Sequence, residues 1–174
     1  LFSDSRFRPD YLKIYPTLVV EGTELYRLYQ NGEYSPLEDE PAAELVSRIK
    51  EILPPYVRLQ RVQRDIPTHI IVAGVKKSNL RQLAQRLLAA RGGRCRCIRC
   101  REAGLRRMMD GEVRLEQQHH IACGAEEHFV SFTCQDDTLI GFLRLRLYAQ
   151  ARVSELHFYG PMLPIGSRKE GWQH

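Results

Sequence analysis

Three cysteines lie within six positions of the stretch RGGRCRCIRCREAG, which covers residues 91–104. Cys95, Cys97 and Cys100 form the pattern C-x-C-x2-C. Structural zinc sites use four Cys or His ligands, which often come from short local spacings. A disulfide between Cys95 and Cys97 would be strained. The pattern therefore predicts a zinc site in which the three cysteines supply three of the four ligands.

The fourth zinc ligand is left open by the sequence. An iron–sulfur cluster would usually require four thiolates, and a redox-sensing group of thiols is the other alternative. His119 and His120 would point to opposite faces of a strand, so both cannot join one site without a bulge, and ordinary surface histidines are favoured. The fourth position is open to a water molecule or to Cys123, Cys134, His119, His120, His128 or His157.

The cysteine stretch lies in a strongly basic part of the chain. Residues 58–107 contain 14 Lys or Arg residues against only Asp65 and Glu102, a balance of +12, whereas the whole chain carries +5. A block this one-sided repels itself unless a polyanion offsets it, which predicts a nucleic-acid partner. The residues predicted to contact phosphates are Lys76, Lys77, Arg94, Arg96, Arg99 and Arg101.

Strand and helix patterns alternate before the cysteine stretch. One helix from Glu38 to Leu53 is predicted to turn Leu45, Val46, Ile49 and Ile52 to the core. Another is predicted to begin with Ser78 as its cap, which places Lys76 and Lys77 just before a helix N-terminus that favours phosphate. The other predicted elements are a β-rich run at 11–20, a helix within 22–32, a strand at 57–63, and a strand or buried turn at 69–74. This alternation indicates an α/β layer or barrel.

The pattern changes after the cysteine stretch. Four strand-like runs follow, separated by short polar turns and without any helix signal between them. The runs are EVRLEQQHHI, EHFVSFTC, TLIGFLRLRLY and SELHFYG. Such a meander predicts an antiparallel sheet and a boundary near residues 105–112.

Composition narrows the class of protein. With 174 residues, 43% of them hydrophobic, the chain is expected to form a globular, soluble fold, and no apolar run approaches a membrane span. Clustering of three of the five cysteines favours a reducing cytoplasm over an extracellular disulfide framework. The first residue, Leu1, and the abrupt end at His174 suggest an interior fragment.

Five segments, taken in order, resemble the catalytic subunit of Elongator in its archaeal and bacterial form. They are DYLKIYPTLVVEGTELYRLYQNGEY, LPPYVRLQRVQRDIP, GVKKSNLRQL, CRCIRCREAG and SELHFYGPMLPIGSR with the final WQH. That family joins a radical S-adenosylmethionine (SAM) barrel to an acetyltransferase domain of the GNAT type. The resemblance implies a tRNA-modifying enzyme that uses SAM radical chemistry and acetyl-CoA to add a carboxymethyl-type group at carbon 5 of the wobble uridine.

The resemblance also implies how this α/β chain is organised. Residues 1–90 would be the C-terminal part of the barrel, 91–111 a basic Cys-rich linker with the zinc site, and 112–174 the truncated, antiparallel first half of the acetyltransferase sheet. The family's 4Fe-4S cysteines have a different spacing from the triad here. They lie outside this segment, as do its catalytic residues, so the fragment alone is expected to be inactive.

The acetyl-CoA site would be represented here by one strand, whose backbone pairs with the cofactor in GNAT sheets. Its residues are Glu155, Leu156, His157 and Phe158. The expected partners are tRNA and acetyl-CoA, with accessory subunits as further candidates. Binding to a membrane or to DNA is not expected. The alternative is a stand-alone basic zinc module that binds RNA without catalysis. The alternating pattern before Ser78 favours the enzyme, because such a module would not need it.

Overall fold

The computed structural model describes residues 1–105 and 112–160. The chain divides into two compact units. We call Tyr11–Cys97 the α/β unit, and Leu1–Asp10 together with Ile98–His174 the sheet unit. The end of the expected linker and the end of the expected acetyltransferase segment, 106–111 and 161–174, lie outside the described residues.

The strands of the α/β unit are short and form two separate pairs. Strand β1 (Tyr11–Lys13) pairs in parallel with β3 (Arg58–Arg61), and β2 (Val19–Val20) pairs antiparallel with β4 (Ile71–Ala73). The expected continuous run at 11–20 is thus two strands. Pro16 lies between them, and proline cannot donate to a ladder. The strand alternative at 69–74 is confirmed for β4, which follows a 3₁₀ turn at Thr68–Ile70.

Helix α1 (Glu24–Gln30) and helix α2 (Asp39–Ile52) confirm the first two predicted helices. The predicted inward stripe of α2 is wrong in part, because Leu45 is 46% exposed and Ile52 is 70% exposed. Small residues take their place. The residues that α2 buries are Ala42, Ala43, Val46, Ser47 and Lys50.

Helix α3 (Leu80–Ala90) packs against α2 and presents a leucine–alanine stripe to the core. Leu80, Ala84 and Leu88 are buried at a spacing of four residues, which keeps them on one helical face. The helix is capped at Asn79 and not at the predicted Ser78. The lysines at 76 and 77 therefore lie one residue further from the helix than expected.

The sheet unit confirms the predicted meander. After a short helix α4 (Ile98–Arg101) and a 3₁₀ turn (Ala103–Leu105), four antiparallel strands pair in chain order. They are β5 (Arg114–Ala122), β6 (Ala125–Thr133), β7 (Leu139–Leu147) and β8 (Ala151–Phe158). Between β5 and β6 the turn has only two residues, Cys123 and Gly124, with φ of 49° and 75°. Positive φ at both positions is the geometry that matches strand twist in a two-residue hairpin.

One face of the sheet is buried and the other is exposed. Phe129 and Phe142 lie on the buried face, with ring centroids 5.1 Å apart. Leu156 and Phe158 on β8 are exposed on the opposite face. Gly141 allows β8 to approach β7 closely, because a Cβ there would lie 2.8 Å from the carbonyl oxygen of His157.

The helices of residues 1–105 and 112–160 are all too short or too polar to span a lipid bilayer.

Candidate functional site

The three clustered cysteines meet in space. Cys95 and Cys97 are buried, whereas Cys100, on α4, is half-buried. Their three Sγ atoms lie within 4.8 Å of one another. All three come from one stretch of six residues, so their proximity is a local property of that stretch. None of the five cysteines of the chain, all of which are described, forms a disulfide.

This donor set fits zinc. Zinc–sulfur bonds of about 2.3 Å in a tetrahedron place two sulfur atoms about 3.8 Å apart, so the thiols need to move little to reach one ion. Thiolates are soft ligands, which favour zinc over magnesium or calcium. The three cysteines would therefore hold zinc through three bonds, and the ion would need one further ligand.

No fourth protein ligand joins the triad among residues 1–105 and 112–160. Cys123 lies at the β5–β6 turn, where its thiol contacts the carbonyl oxygen of Arg6 at 3.2 Å. Cys134 is buried, and burial raises the pKa of its thiol. His119 and His128 belong to a different group of potential ligands, which they form with Glu126.

One predicted phosphate-binding arginine serves the fold instead. The side chain of Arg101 is 1% exposed, and its Nη1 lies 3.2 Å from Oδ1 of Asp137. Ile98 and Ala103, its neighbours in the chain, are buried as well. The expectation that Arg101 contacts phosphate is therefore corrected. These buried residues give the segment a small core of its own.

The remaining arginines of the cysteine stretch are accessible to different degrees. Arg94 is exposed, while Arg96 and Arg99 are half-buried. Arg91, at the end of α3, donates to both carboxylate oxygens of Glu44 and to the hydroxyl of Ser47, so it ties α3 to α2.

Lys76 and Lys77 are both exposed and lie above the first turn of α2. Their backbone N–H groups each donate to Oδ1 of Asp39 at 3.0 Å. The ammonium of Lys77 also lies 2.8 Å from Oε1 of Glu40. This contact raises the pKa of Lys77 and lowers the pKa of Glu40. Among the described residues, the ammonium of Lys77 pairs with carboxylates and that of Lys76 does not, which makes Lys76 the simpler probe of a phosphate contact.

The predicted acetyl-CoA strand is β8, at one edge of the sheet. Its inner edge pairs with β7, and no strand of the described part of the chain pairs with its outer edge. An unpaired edge offers backbone N–H and C=O groups to a ligand that carries amides. Of the four predicted residues, Glu155 is held by Arg144 and by His157, at 2.7 Å and 2.9 Å. The ring of His157 stacks on Phe142 with centroids 5.4 Å apart.

A buried charge network on the sheet was missed by the sequence analysis. Arg144 is 3% exposed and lies 2.7 Å from Oδ1 of Asp10 as well as from Glu155. Its guanidinium also lies over the rings of Phe129 and Phe142. In TLIGFLRLRLY, an arginine stands among apolar residues. That was the available signal, because an arginine buried with such neighbours needs carboxylate partners. The sequence could not show that one partner would come from the first ten residues.

Comparisons with known proteins cover the whole chain. The family model of the radical SAM C-terminal domain matches residues 9–89. The tRNA uridine(34) acetyltransferase of Methanocaldococcus infernus is 42% identical over 193 aligned residues, which include 100% of this chain and 36% of that protein. Elongator complex protein 3 of Homo sapiens is 40% identical over 183 residues, which include 96% of this chain and 34% of that protein.

A solved structure agrees with these relatives. The archaeal Methanocaldococcus infernus Elp3 with an N-terminal deletion (1–46) superposes with a TM-score of 0.87 and 40% identity, over 99% of this chain and 45% of that one. The resemblance to the catalytic subunit of Elongator is confirmed. The chain spans about a third of the length of the curated relatives that it matches.

Proposed function

We propose that this chain is part of a tRNA-modifying acetyltransferase that acts on the wobble uridine. The observation that carries the proposal is the 42% identity to a tRNA uridine(34) acetyltransferase, which extends over the whole chain and so through both units. The finer chemistry that we propose is the addition of a carboxymethyl-type group at carbon 5 of that uridine, with acetyl-CoA as the source of the acetyl group.

The α/β unit would form the C-terminal part of the radical SAM barrel. Supporting this, the radical SAM C-terminal domain model matches residues 9–89, which lie almost entirely in that unit. SAM bound to a 4Fe-4S cluster supplies the radical chemistry in such enzymes. The cluster ligands would lie outside this segment, since Cys95, Cys97 and Cys100 have a different spacing from the cluster motif. The part played by this unit would be to close the barrel and to carry basic side chains.

Zinc at Cys95, Cys97 and Cys100 would have a structural role. Ordering a loop costs roughly 1 to 2 kcal/mol of backbone entropy per residue, and an ion bound by three thiolates offsets part of that cost. The zinc would thereby hold Arg94, Arg96 and Arg99 in a fixed arrangement. It would activate no water and take no part in the reaction.

The proposed tRNA-binding residues are exposed or half-buried basic side chains of residues 76–99. They would contact phosphates, because Lys and Arg in a one-sided basic block bind a polyanion through its backbone. The members that remain after the correction of Arg101 are Lys76, Lys77, Arg94, Arg96 and Arg99.

Acetyl-CoA would bind along the outer edge of β8. Its amide groups would pair with the backbone of Glu155, Leu156, His157 and Phe158, so the side chains of these residues matter less than an unpaired edge. The buried network of Arg144 and Glu155 supports this role, because it holds β8 on β7 while leaving the outer edge unpaired in the described residues.

The proposal is tested by replacing Leu156 with Pro in the full-length protein. Proline removes one backbone donor and is poorly tolerated in a paired strand, so we expect acetyl-CoA hydrolysis and acetyl transfer to fail while tRNA binding persists. Leu156→Ala is the matched control, since it shortens the side chain but keeps the backbone N–H, and it should remain active. Acetyl-CoA bound elsewhere, with β8 paired on both edges in the full-length protein, would contradict the proposed cofactor site.

The alternative of a stand-alone zinc module that binds RNA is less well supported. Such a module would need neither a segment that fits the radical SAM C-terminal domain nor a four-stranded sheet. We further propose a cytoplasmic location, where clustered thiols stay reduced, and accessory subunits remain candidate partners.

A further inference from the structure

A second group of metal-binding side chains lies on the β5–β6 hairpin. His119, Glu126 and His128 each offer one ligand atom, and these atoms all lie within 4.8 Å of one another. Oε2 of Glu126 is 3.7 Å from Nε2 of His119 and 3.7 Å from Nε2 of His128. The carboxylate is therefore equally close to the two imidazoles, whose ring centroids are 4.8 Å apart.

The hairpin backbone sets this arrangement. The two-residue turn at Cys123 and Gly124 fixes the register so that His119 lies directly opposite His128. Glu126 precedes His128 by two residues and therefore projects from the same face of the sheet. All three side chains come from paired strands and not from a loop, which is the more precise way to position metal ligands.

We propose that His119, Glu126 and His128 form a binding site for a transition-metal dication of the zinc class, separate from the cysteine triad. Two imidazole nitrogens and one carboxylate oxygen are a ligand set that such ions accept, with positions left open for water or another ligand. Ligand atoms about 2.0–2.1 Å from one tetrahedral ion are about 3.4 Å apart. The observed 3.7 Å separations need only small side-chain rotations to reach that spacing.

The surroundings of His128 support metal binding. Its Nε2 is inaccessible to solvent and has no hydrogen-bond partner in the described residues, an arrangement that is costly unless another group satisfies the nitrogen. On the other side of the ring, the Gln117 carboxamide lies 2.9 Å from Nδ1. Rotating that carboxamide by half a turn would let its oxygen accept from Nδ1–H, which leaves the Nε2 lone pair directed toward Glu126.

An ordinary ion pair explains the group less well. Nε2 of each imidazole lies 3.7 Å from the same oxygen of Glu126, which is too far for a hydrogen bond. One dication bound by both imidazoles and the carboxylate would give all three groups a partner.

The test counts bound zinc by elemental analysis after equilibrium dialysis of the full-length protein against a series of buffered free zinc concentrations. We expect His119→Ala/His128→Ala to bind about one equivalent less than the wild type at the higher concentrations, while the zinc of the cysteine triad is retained. Glu126→Gln should weaken binding at this site by more than about 100-fold, because even loss of a partner outside the ligand set costs 10–100-fold. His69→Ala is the matched control, since it removes an exposed histidine of the α/β unit.

A measurement on the unaltered protein guards against variants that fail to fold. Zinc should protect the exposed His119, but not the exposed His69, from modification by diethyl pyrocarbonate, as read by peptide mass spectrometry. Equal zinc binding by the wild type and the double histidine variant at every concentration would overturn the proposal. So would equal protection of His119 and His69, which would indicate non-specific binding.

Discussion

The α/β unit and the sheet unit differ in how far their arginines are buried. In the α/β unit, ion pairs such as Arg27–Glu24 are exposed on helix surfaces, where such pairs contribute little to stability. In the sheet unit, Arg101 and Arg144 are buried, and each is paired with at least one carboxylate. Removing one partner of a buried pair leaves an uncompensated charge away from water, which is far more costly.

This difference shows that a count of basic residues overestimates a binding surface. Arg101 was counted with the phosphate-binding arginines, yet its guanidinium is held inside the sheet unit by Asp137. Arg91 is committed to Glu44 and Ser47 within the α/β unit. The charges available to a polyanion are those that the fold does not use, and Lys76 and Arg94 are the best examples.

The largest effect is expected for Arg144. We predict that Arg144→Met destabilises the sheet unit by about 3–5 kcal/mol, because Asp10 and Glu155 would lose their buried cation. Urea denaturation followed by circular dichroism measures the loss. Arg152→Met on β8 is the control, since Arg152 is exposed. A loss for Arg144→Met no greater than that of the control would remove the distinction between the two units.

The next effect concerns the cysteine triad. We predict that Cys97→Ser/Cys100→Ser releases about one zinc per chain, lowers the melting temperature and weakens tRNA binding. Cys123→Ser is the control, because Cys123 is exposed and lies outside the triad. Wild-type protein that carries no zinc at the triad, or a double variant that binds tRNA normally, would exclude the proposed role.

A smaller effect separates binding charges from structural ones. We predict that Lys76→Glu weakens tRNA binding and reduces the slope of log affinity against log salt by about 1, with the melting temperature unchanged. Arg101→Met should do the reverse, lowering stability before it affects the salt slope. Lys76 is preferred to Lys77 because a glutamate at 77 would face Glu40 and Asp39. Unchanged tRNA affinity across a salt series in Lys76→Glu would contradict the proposed surface.

The smallest effect is a pH dependence within the sheet unit. Burial lowers the pKa of His120 below its ordinary 6.5. The folded state therefore disfavours the protonated form of His120. Above pH 6.5 the neutral imidazole leaves the folded state at full stability, and this stability is lost as the pH falls from 6.5 through the lower pKa that His120 has in the folded state. His120→Gln should flatten that acid-side decline in melting temperature, whereas His69→Gln, at an exposed position, should leave it unchanged.

Glu127, which lies opposite His120 in the sheet, acts in the other direction. Burial raises the pKa of Glu127 above its ordinary 4.5, despite the attraction of Arg146. Its protonation on acidification therefore favours the folded state, and the stability it contributes grows as the pH falls through the raised value. The His120 variant is therefore best measured just below pH 6.5, where the Glu127 contribution is smallest. If the melting temperature of His120→Gln declines toward acid pH as steeply as that of the wild type, His120 contributes nothing to the decline.

Much of the fold was predictable because it follows from periodicity. The alternation of side chains predicted the four strands of the sheet, and the helical pattern within residues 22–32 predicted α1. In the structure, the hydroxyl of Thr23 caps that helix by accepting from the N–H of Tyr26 at 3.2 Å. The buried face of α2 was less predictable, because small residues such as Ala42 and Ala43 are buried there while Leu45 is exposed. Two helices that pack closely favour small side chains at the contact, and hydrophobicity alone does not show where that contact lies.

The sequence by itself determined that three thiols would lie together, that the first half would alternate between strand and helix, and that the second half would be a meander. Each depends on residues that are near one another in the chain. Only the tertiary structure decided that Asp10 would pair with Arg144 and that Arg101 would be buried. The same is true of His119 and His128, whose pairing needs the exact hairpin register. Burial and partnership depend on which distant segments pack together, and local pattern does not contain that information.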